Sequence, residues 1–170
     1  PGAAVTTRSP TIAVWSRRLA ADRWSRPTDV RLSHCLIHGS VRIWGMGADG
    51  SYDDLRASSR TAEHTSVAQG AAPSHIILEQ VTVRGTGSIP LYVGPGVTRV
   101  SLTRSTLEGR SVATALYLDA ESADNRIEDN LFRTRTGREM IAVDGSARNR
   151  ITGNRFELGG RPGVFLYRNC

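Results

Sequence analysis

Two aspartates close similar apolar runs. Asp119 ends Leu116-Tyr117-Leu118-Asp119, and Asp144 ends Ile141-Ala142-Val143-Asp144, 25 residues later. Carboxylates repeated at that spacing have three uses. They can hold Ca²⁺ through oxygen ligands. They can divide acid and base roles at a glycosidic bond. They can also accept backbone N–H groups in a turn, as Asp often does. Placed side by side they repel unless a cation, a shared proton or an arginine intervenes. Arg138 and Glu139 precede the second run. Glu139 either adds a third carboxylate to the set or forms a solvated pair with Arg138 beside the Thr134–Gly137 turn.

Aromatic side chains accompany the acids. Tyr92, Tyr117 and Phe165 are the middle residues of Leu91-Tyr92-Val93, Leu116-Tyr117-Leu118 and Val164-Phe165-Leu166, and Arg42 is the middle of Val41-Arg42-Ile43. Strand alternation turns the outer pair of each run inward and the middle residue outward. Exposed aromatic faces pack against the C–H faces of sugar rings. The expected site therefore has a substrate-binding set, Tyr92, Tyr117, Arg42 and Phe165. Beside it lies a catalytic set, Asp119, Asp144, Glu139 and Arg138, with Asp119 and Asp144 doubling as the Ca²⁺ ligands if a metal is used. The competing reading is that a loop over residues 46–73 covers the rings. His34, His38, His64 and His75 have no metal-ligand spacing. His38 adjoins Arg84 in one outward column, as a candidate base or as an ordinary surface histidine. Arg84, Arg138 and Arg42 are candidate partners for a uronate carboxylate.

These residues recur because the chain repeats. Asn125-Arg126-Ile127-Glu128-Asp129-Asn130-Leu131-Phe132 matches Asn149-Arg150-Ile151-Thr152-Gly153-Asn154-Arg155-Phe156. Aligning the remaining runs gives anchors at Leu32, Leu78, Leu102, Ile127 and Ile151. The first gap is read as one rung plus an insertion at 46–73, a Ser-, Ala-, Gly- and Asp-rich loop. Short strands with Gly-rich corners and no 3.6 periodicity make a β-solenoid of about 24 residues per rung. Stacked rungs lie about 4.8 Å apart, so equivalent residues touch. One inward column reads Ile37, Val83, Leu107, Phe132, Phe156. A corner column reads Cys35, Val81, Ser105, Asn130, Asn154, which predicts an asparagine ladder. An outward column reads His38, Arg84, Glu108, Arg133, Glu157, with alternating signs from Arg84 onward.

Composition sets the outer limits. The 170 residues suit one domain able to bury a core. No apolar run approaches the roughly 20 residues of a membrane helix, so no membrane partner is expected. Every one of the 22 basic residues is Arg, and the net charge is +6. Arginine's planar fork grips carboxylates and phosphates in paired hydrogen bonds. A polyanion is therefore the expected partner. No nucleic-acid motif appears and the arginines are scattered, so nucleic acid is not expected. Cys35 and Cys170 fall in different rungs and are expected to be unbonded to each other.

The N-x-I-x-x-N-x-F corners at 125–132 and 149–156, each followed by an apolar run such as Gly163-Val164-Phe165-Leu166-Tyr167, carry a resemblance. Over roughly residues 28–170 the sequence resembles the right-handed parallel β-helix repeat proteins of the pectate-lyase-like superfamily. The resemblance implies an all-β right-handed parallel β-helix, a secreted or periplasmic location and action on carbohydrate. The expected activity is that of a polysaccharide lyase, hydrolase or epimerase on an acidic polysaccharide, with no cofactor or with Ca²⁺. The alternative is a noncatalytic module that binds glycan or extends a larger protein, since no complete catalytic signature of a member enzyme family is present. Residues 1–27, with Trp15, Leu19 and Trp24, are expected to cap one end, with a short helix over 16–25. Ending at Cys170 after the second run of a rung leaves an open sheet edge. A truncated solenoid or an end-to-end partner is expected from that.

Overall fold

The computed structural model describes residues 10–21, 23–47 and 52–167. The chain coils through about six turns of about 25 residues each, forming a parallel β-solenoid. It opens with β1 (Ile12–Val14) and an antiparallel hairpin, β2 (Arg17–Ala20) and β3 (Arg23–Ser25). Next come β4 (Thr28–Ser33), β5 (Leu36–His38) and β6 (Val41–Ile43), then two helices, α1 (Tyr52–Ser58) and α2 (His64–Ala71). Three full rungs follow. They are β7 (Ser74–Glu79), β8 (Thr82–Gly87) and β9 (Leu91–Val93); β10 (Ser101–Thr103), β11 (Thr106–Ser111) and β12 (Leu116–Leu118); and β13 (Arg126–Glu128), β14 (Leu131–Thr136) and β15 (Ile141–Asp144). The last is β16 (Arg150–Thr152), β17 (Arg155–Phe156) and β18 (Val164–Tyr167).

Each strand of a rung joins a different parallel sheet. Sheet 1 runs β16-β13-β10-β7-β4, sheet 2 runs β17-β14-β11-β8-β5, and sheet 3 runs β1-β6-β9-β12-β15-β18. Alternation within each strand sends every second side chain to the interior. The anchors pair directly: Leu32 with Leu78, Leu78 with Leu102, Leu102 with Ile127, and Ile127 with Ile151. Leu78, Leu102 and Ile127 are fully buried. In sheet 2 the column Ile37, Val83, Leu107, Phe132, Phe156 stacks in register. The last two rings lie 5.1 Å apart and nearly parallel. Fully burying one such side chain stabilises by about 1.5–3 kcal/mol, so these columns are the main source of cohesion.

Polar groups at the corners are matched rung to rung. Asn130 Oδ1 accepts the Ser105 N–H at 2.9 Å, and its Nδ2 donates to Leu102 O at 2.8 Å and to Asn154 Oδ1 at 3.0 Å. That is the expected ladder. A second one, absent from the sequence reading, joins Asn125 to Asn149. On the outer surface Glu108 accepts from both Arg84 and Arg133. The corner between sheets 1 and 2 also keeps a backbone column in the left-handed region. His34, Gln80, Arg104, Asp129 and Gly153 have φ of 52°, 51°, 47°, 56° and 66°. Of these, His34, Gln80, Arg104 and Asp129 each donate their N–H to a carbonyl of the adjoining rung.

Two expectations are corrected. The described residues of 16–25 form no helix: Arg17–Ala20 and Arg23–Ser25 pair as the β2–β3 hairpin, while β1 extends sheet 3 by pairing with β6. The run Arg17-Arg18-Leu19-Ala20 is exposed throughout, so it has no apolar face to hold a helix against the core. Residues 46–73 are no featureless loop either, since they carry α1 and α2. Ala68 and Ala71 of α2 pack on Met46, with Trp24 of the hairpin and Leu55 of α1 beside them, as a small second core. Helix α2 then seats on the solenoid. Gln69 Nε2 donates to Glu121 O at 2.9 Å, and the Thr65 hydroxyl donates to the Glu121 carboxylate. Gly96, at φ +75°, makes the close approach feasible, because a Cβ there would lie 2.4 Å from Ala68 O. Cys35 is a free, exposed thiol, and Cys170 lies outside the described residues.

Candidate functional site

Sheet 3 carries Arg42, Tyr92, Tyr117 and Phe165 at one register position of successive strands. In β9 and β12 the flanking Leu91, Val93, Leu116 and Leu118 are fully buried, which turns Tyr92 and Tyr117 outward on paired positions. Their ring centroids are 5.9 Å apart, at an interplanar angle of 31°. Trp44 continues the row, 5.4 Å from Tyr92. The Arg42 guanidinium lies 5.8 Å from the Tyr92 centroid, and its Nη1 donates to Ile89 O at 2.5 Å. Alternation beyond Ile43 already points Trp44 outward, so the sequence held a signal for it that was not used.

The aspartates are each tied to a tyrosine of the preceding rung. Tyr92 donates its hydroxyl to Asp119 Oδ2, and Tyr117 donates to Asp144 Oδ2. Asp119 Oδ1 also accepts the Ala120 N–H at 2.8 Å, so this residue is in part the turn-capping aspartate of the structural reading. Asp144 has no comparable backbone partner among the described residues. Burial, followed by these carboxylate bonds, pushes both phenols well above the ordinary tyrosine range. The tyrosines thus act as fixed hydrogen-bond donors. Burial also lowers the Arg42 pKa.

Further along the face the column is interrupted. Ala142 occupies the position between Tyr117 and Phe165 and is fully buried. Phe165 is 47 % exposed and pairs with Tyr167 at 4.9 Å. Arg138 lies over the Tyr167 ring at 5.3 Å and donates to its hydroxyl. Glu139, with Tyr167, raises the Arg138 pKa. Glu139 itself is not part of a solvated pair. It is 5 % exposed, its Oε2 lies 3.6 Å from Arg138 Nε, and its Oε1 has no partner. The corner between sheets 2 and 3 folds it inward, a turn that strand alternation does not describe.

The other candidates fall elsewhere. Arg84 and His38 stand in sheet 2, where Arg84 is engaged by Glu108. His34 sits exposed at a corner, and His75 is exposed near the start of β7. Among the described residues no three His, Cys, Asp or Glu side chains gather as a metal site would need. No family model, curated protein or solved structure matches this chain.

Proposed function

We propose that this protein binds an acidic polysaccharide along the outer face of sheet 3, as an extracytoplasmic member of the pectate-lyase-like superfamily. The observation that carries the reading is the row Trp44, Tyr92, Tyr117, in which each tyrosine is pinned by an aspartate of the next rung. Rings held at rung spacing offer successive apolar platforms, and the carboxylates beside them offer acceptors to sugar hydroxyls. The acidic character rests on the arginines. Arg110 and Arg135 are paired neighbours in sheet 2 with no carboxylate on either among the described residues. Like charges opposite one another destabilise a sheet, and an anion would relieve them. Arg138 follows three residues later at the corner leading to the tyrosine face.

Affinity electrophoresis in gels containing polygalacturonate, alginate or a neutral glucan tests the proposal. Retardation by a uronate polymer is expected, and its loss in Tyr117→Ala. Equal mobility in all gels overturns it. Cleavage is the second reading, favoured by the repeated aspartates at one face position and by the buried, unpartnered Glu139 oxygen. Incubation with the same polymers, read for unsaturated products and new reducing ends with EDTA or added Ca²⁺, separates a lyase or hydrolase from a binding module.

A further inference from the structure

We propose that the cleft between the helical insertion and the corner after sheet 3 is a subsite for a single sugar ring, contacted by His64, Arg56 and Glu121. This inference rests on the glycan-binding reading and adds a place where one unit of the chain is held. The cleft has a volume of about 370 Å³. Leu55 and Arg56 of α1, His64 at the start of α2, and Pro95, Ala120 and Glu121 of the solenoid corners line it. Pro95 follows β9, and Ala120 and Glu121 follow β12, so the cleft lies at the corner just after the strands that carry Tyr92 and Tyr117.

The polar groups are set for a ligand with both donors and acceptors. His64 Nδ1 is 3.0 Å from Ser58 Oγ, and Ser58 Oγ donates to Leu55 O at 3.1 Å. The serine hydrogen is thereby used, so Nδ1 must supply the hydrogen between the two side chains. The nitrogen left for a ligand is Nε2, which in the neutral ring accepts. Arg56 is exposed, and its guanidinium, with no partner among the described residues, adds a fork of donors. Glu121 is anchored to Thr65 through Oε2, which leaves Oε1 as a further acceptor. Leu55, Pro95 and Ala120 supply the apolar part of the lining.

That combination selects a ligand class. A purely apolar ligand would bury the Arg56 guanidinium and the free Glu121 Oε1 without hydrogen-bond partners, which is unfavourable. A small dianion would meet the Glu121 carboxylate. A pyranose ring satisfies both demands, because its hydroxyls donate and accept while its C–H face covers the apolar wall.

The test titrates the whole protein with a galacturonate trisaccharide and with its carboxyl-reduced, neutral counterpart. Binding is measured by calorimetry, and the His64 imidazole is followed by ¹H–¹⁵N spectroscopy. Saturable shifts of the His64 ring are expected with at least one sugar. Both Arg56→Gln and His64→Leu should weaken that sugar about tenfold or more. Arg56 is an exposed helix residue, so its variant keeps the test sound if His64→Leu unfolds the insertion. An unmoved His64 ring, or unchanged affinity in Arg56→Gln, overturns the subsite. If Tyr117→Ala still abolishes binding in that case, the tyrosine face stands without the cleft. Failure of the wild type to bind either sugar overturns both proposals.

Discussion

Tyr117 reaches across one rung to donate its hydroxyl hydrogen to Asp144, and Tyr92 makes the same diagonal bond to Asp119. Two identical bonds, one repeat apart, make the face a periodic object with donor, acceptor and ring at each step. That periodicity gives the face measurable properties.

The tyrosine bonds should show in alkaline stability. Both phenols keep their protons to higher pH in the folded chain than in the unfolded one, because burial and the aspartates disfavour the phenolate. Their contribution is complete below the ordinary tyrosine value of about 10 and is lost as pH rises past it toward the folded value. Urea midpoints should therefore fall above that pH, and fall less steeply in Tyr117→Phe. At neutral pH the same variant should lose about 1–2 kcal/mol. Parallel alkaline curves for the two proteins would contradict the bond.

Glu108 should govern part of the acid limb. Its side chain is only 9 % exposed and lies 2.6 Å from both Arg84 and Arg133. Hydrogen bonds from those two arginines hold its pKa below the ordinary value. The stability it supplies is present above about pH 4.3 and is lost as pH falls through the lower folded value. Glu108→Gln should flatten stability against pH in that window. It should cost about 1–3 kcal/mol at neutral pH, read by chemical denaturation.

The asparagine ladder is structural. Asn130 serves Ser105, Leu102 and Asn154 at once, while buried. Asn130→Ala should lower unfolding free energy by about 2–4 kcal/mol, since it strands buried partners as well as removing bonds. Hydrogen exchange should accelerate at the Ser105 amide first.

The corner conformation should be visible in a pair of substitutions. Gln80 holds φ 51° and is exposed. Gln80→Val forces a β-branched residue into the left-handed region and should cost about 1–2 kcal/mol. Gln80→Gly should stay close to the parent in the same thermal melts. Equal losses in both would mean the glutamine side chain, not its backbone, matters.

Much of the scaffold was legible because a solenoid writes itself into a sequence as a period. The pairing of Leu78, Leu102 and Ile127, the ladder through Asn130 and Asn154, and the Arg84–Glu108–Arg133 column all follow from aligning repeats. The outward place of Tyr92 and Tyr117 follows from alternation within three residues. What lay off the period was not legible. The hairpin at 17–25 and the helices of the insertion have no counterpart in other rungs to compare with. Glu139 went inward because a corner, not a strand, sets its direction. The bonds from the tyrosines to the aspartates are diagonal, joining position and rung together, and column reading sees only straight neighbours.

The seating of α2 on Glu121 and Gly96 has a consequence for how the coil finds its alignment. An array of near-equivalent turns lacks an origin: a strand displaced by one whole period meets much the same apolar neighbours, so mis-stacked chains are natural kinetic traps. The insertion occurs once. Thr65 and Gln69 meet their carboxylate and carbonyl on one turn only, and the backbone of Ala68 fits against one glycine. In any shifted stack Ala68 and Ala71 would lose their seat. The helices therefore act as an index mark on the coil, giving an otherwise translationally degenerate object a zero from which its turns are counted.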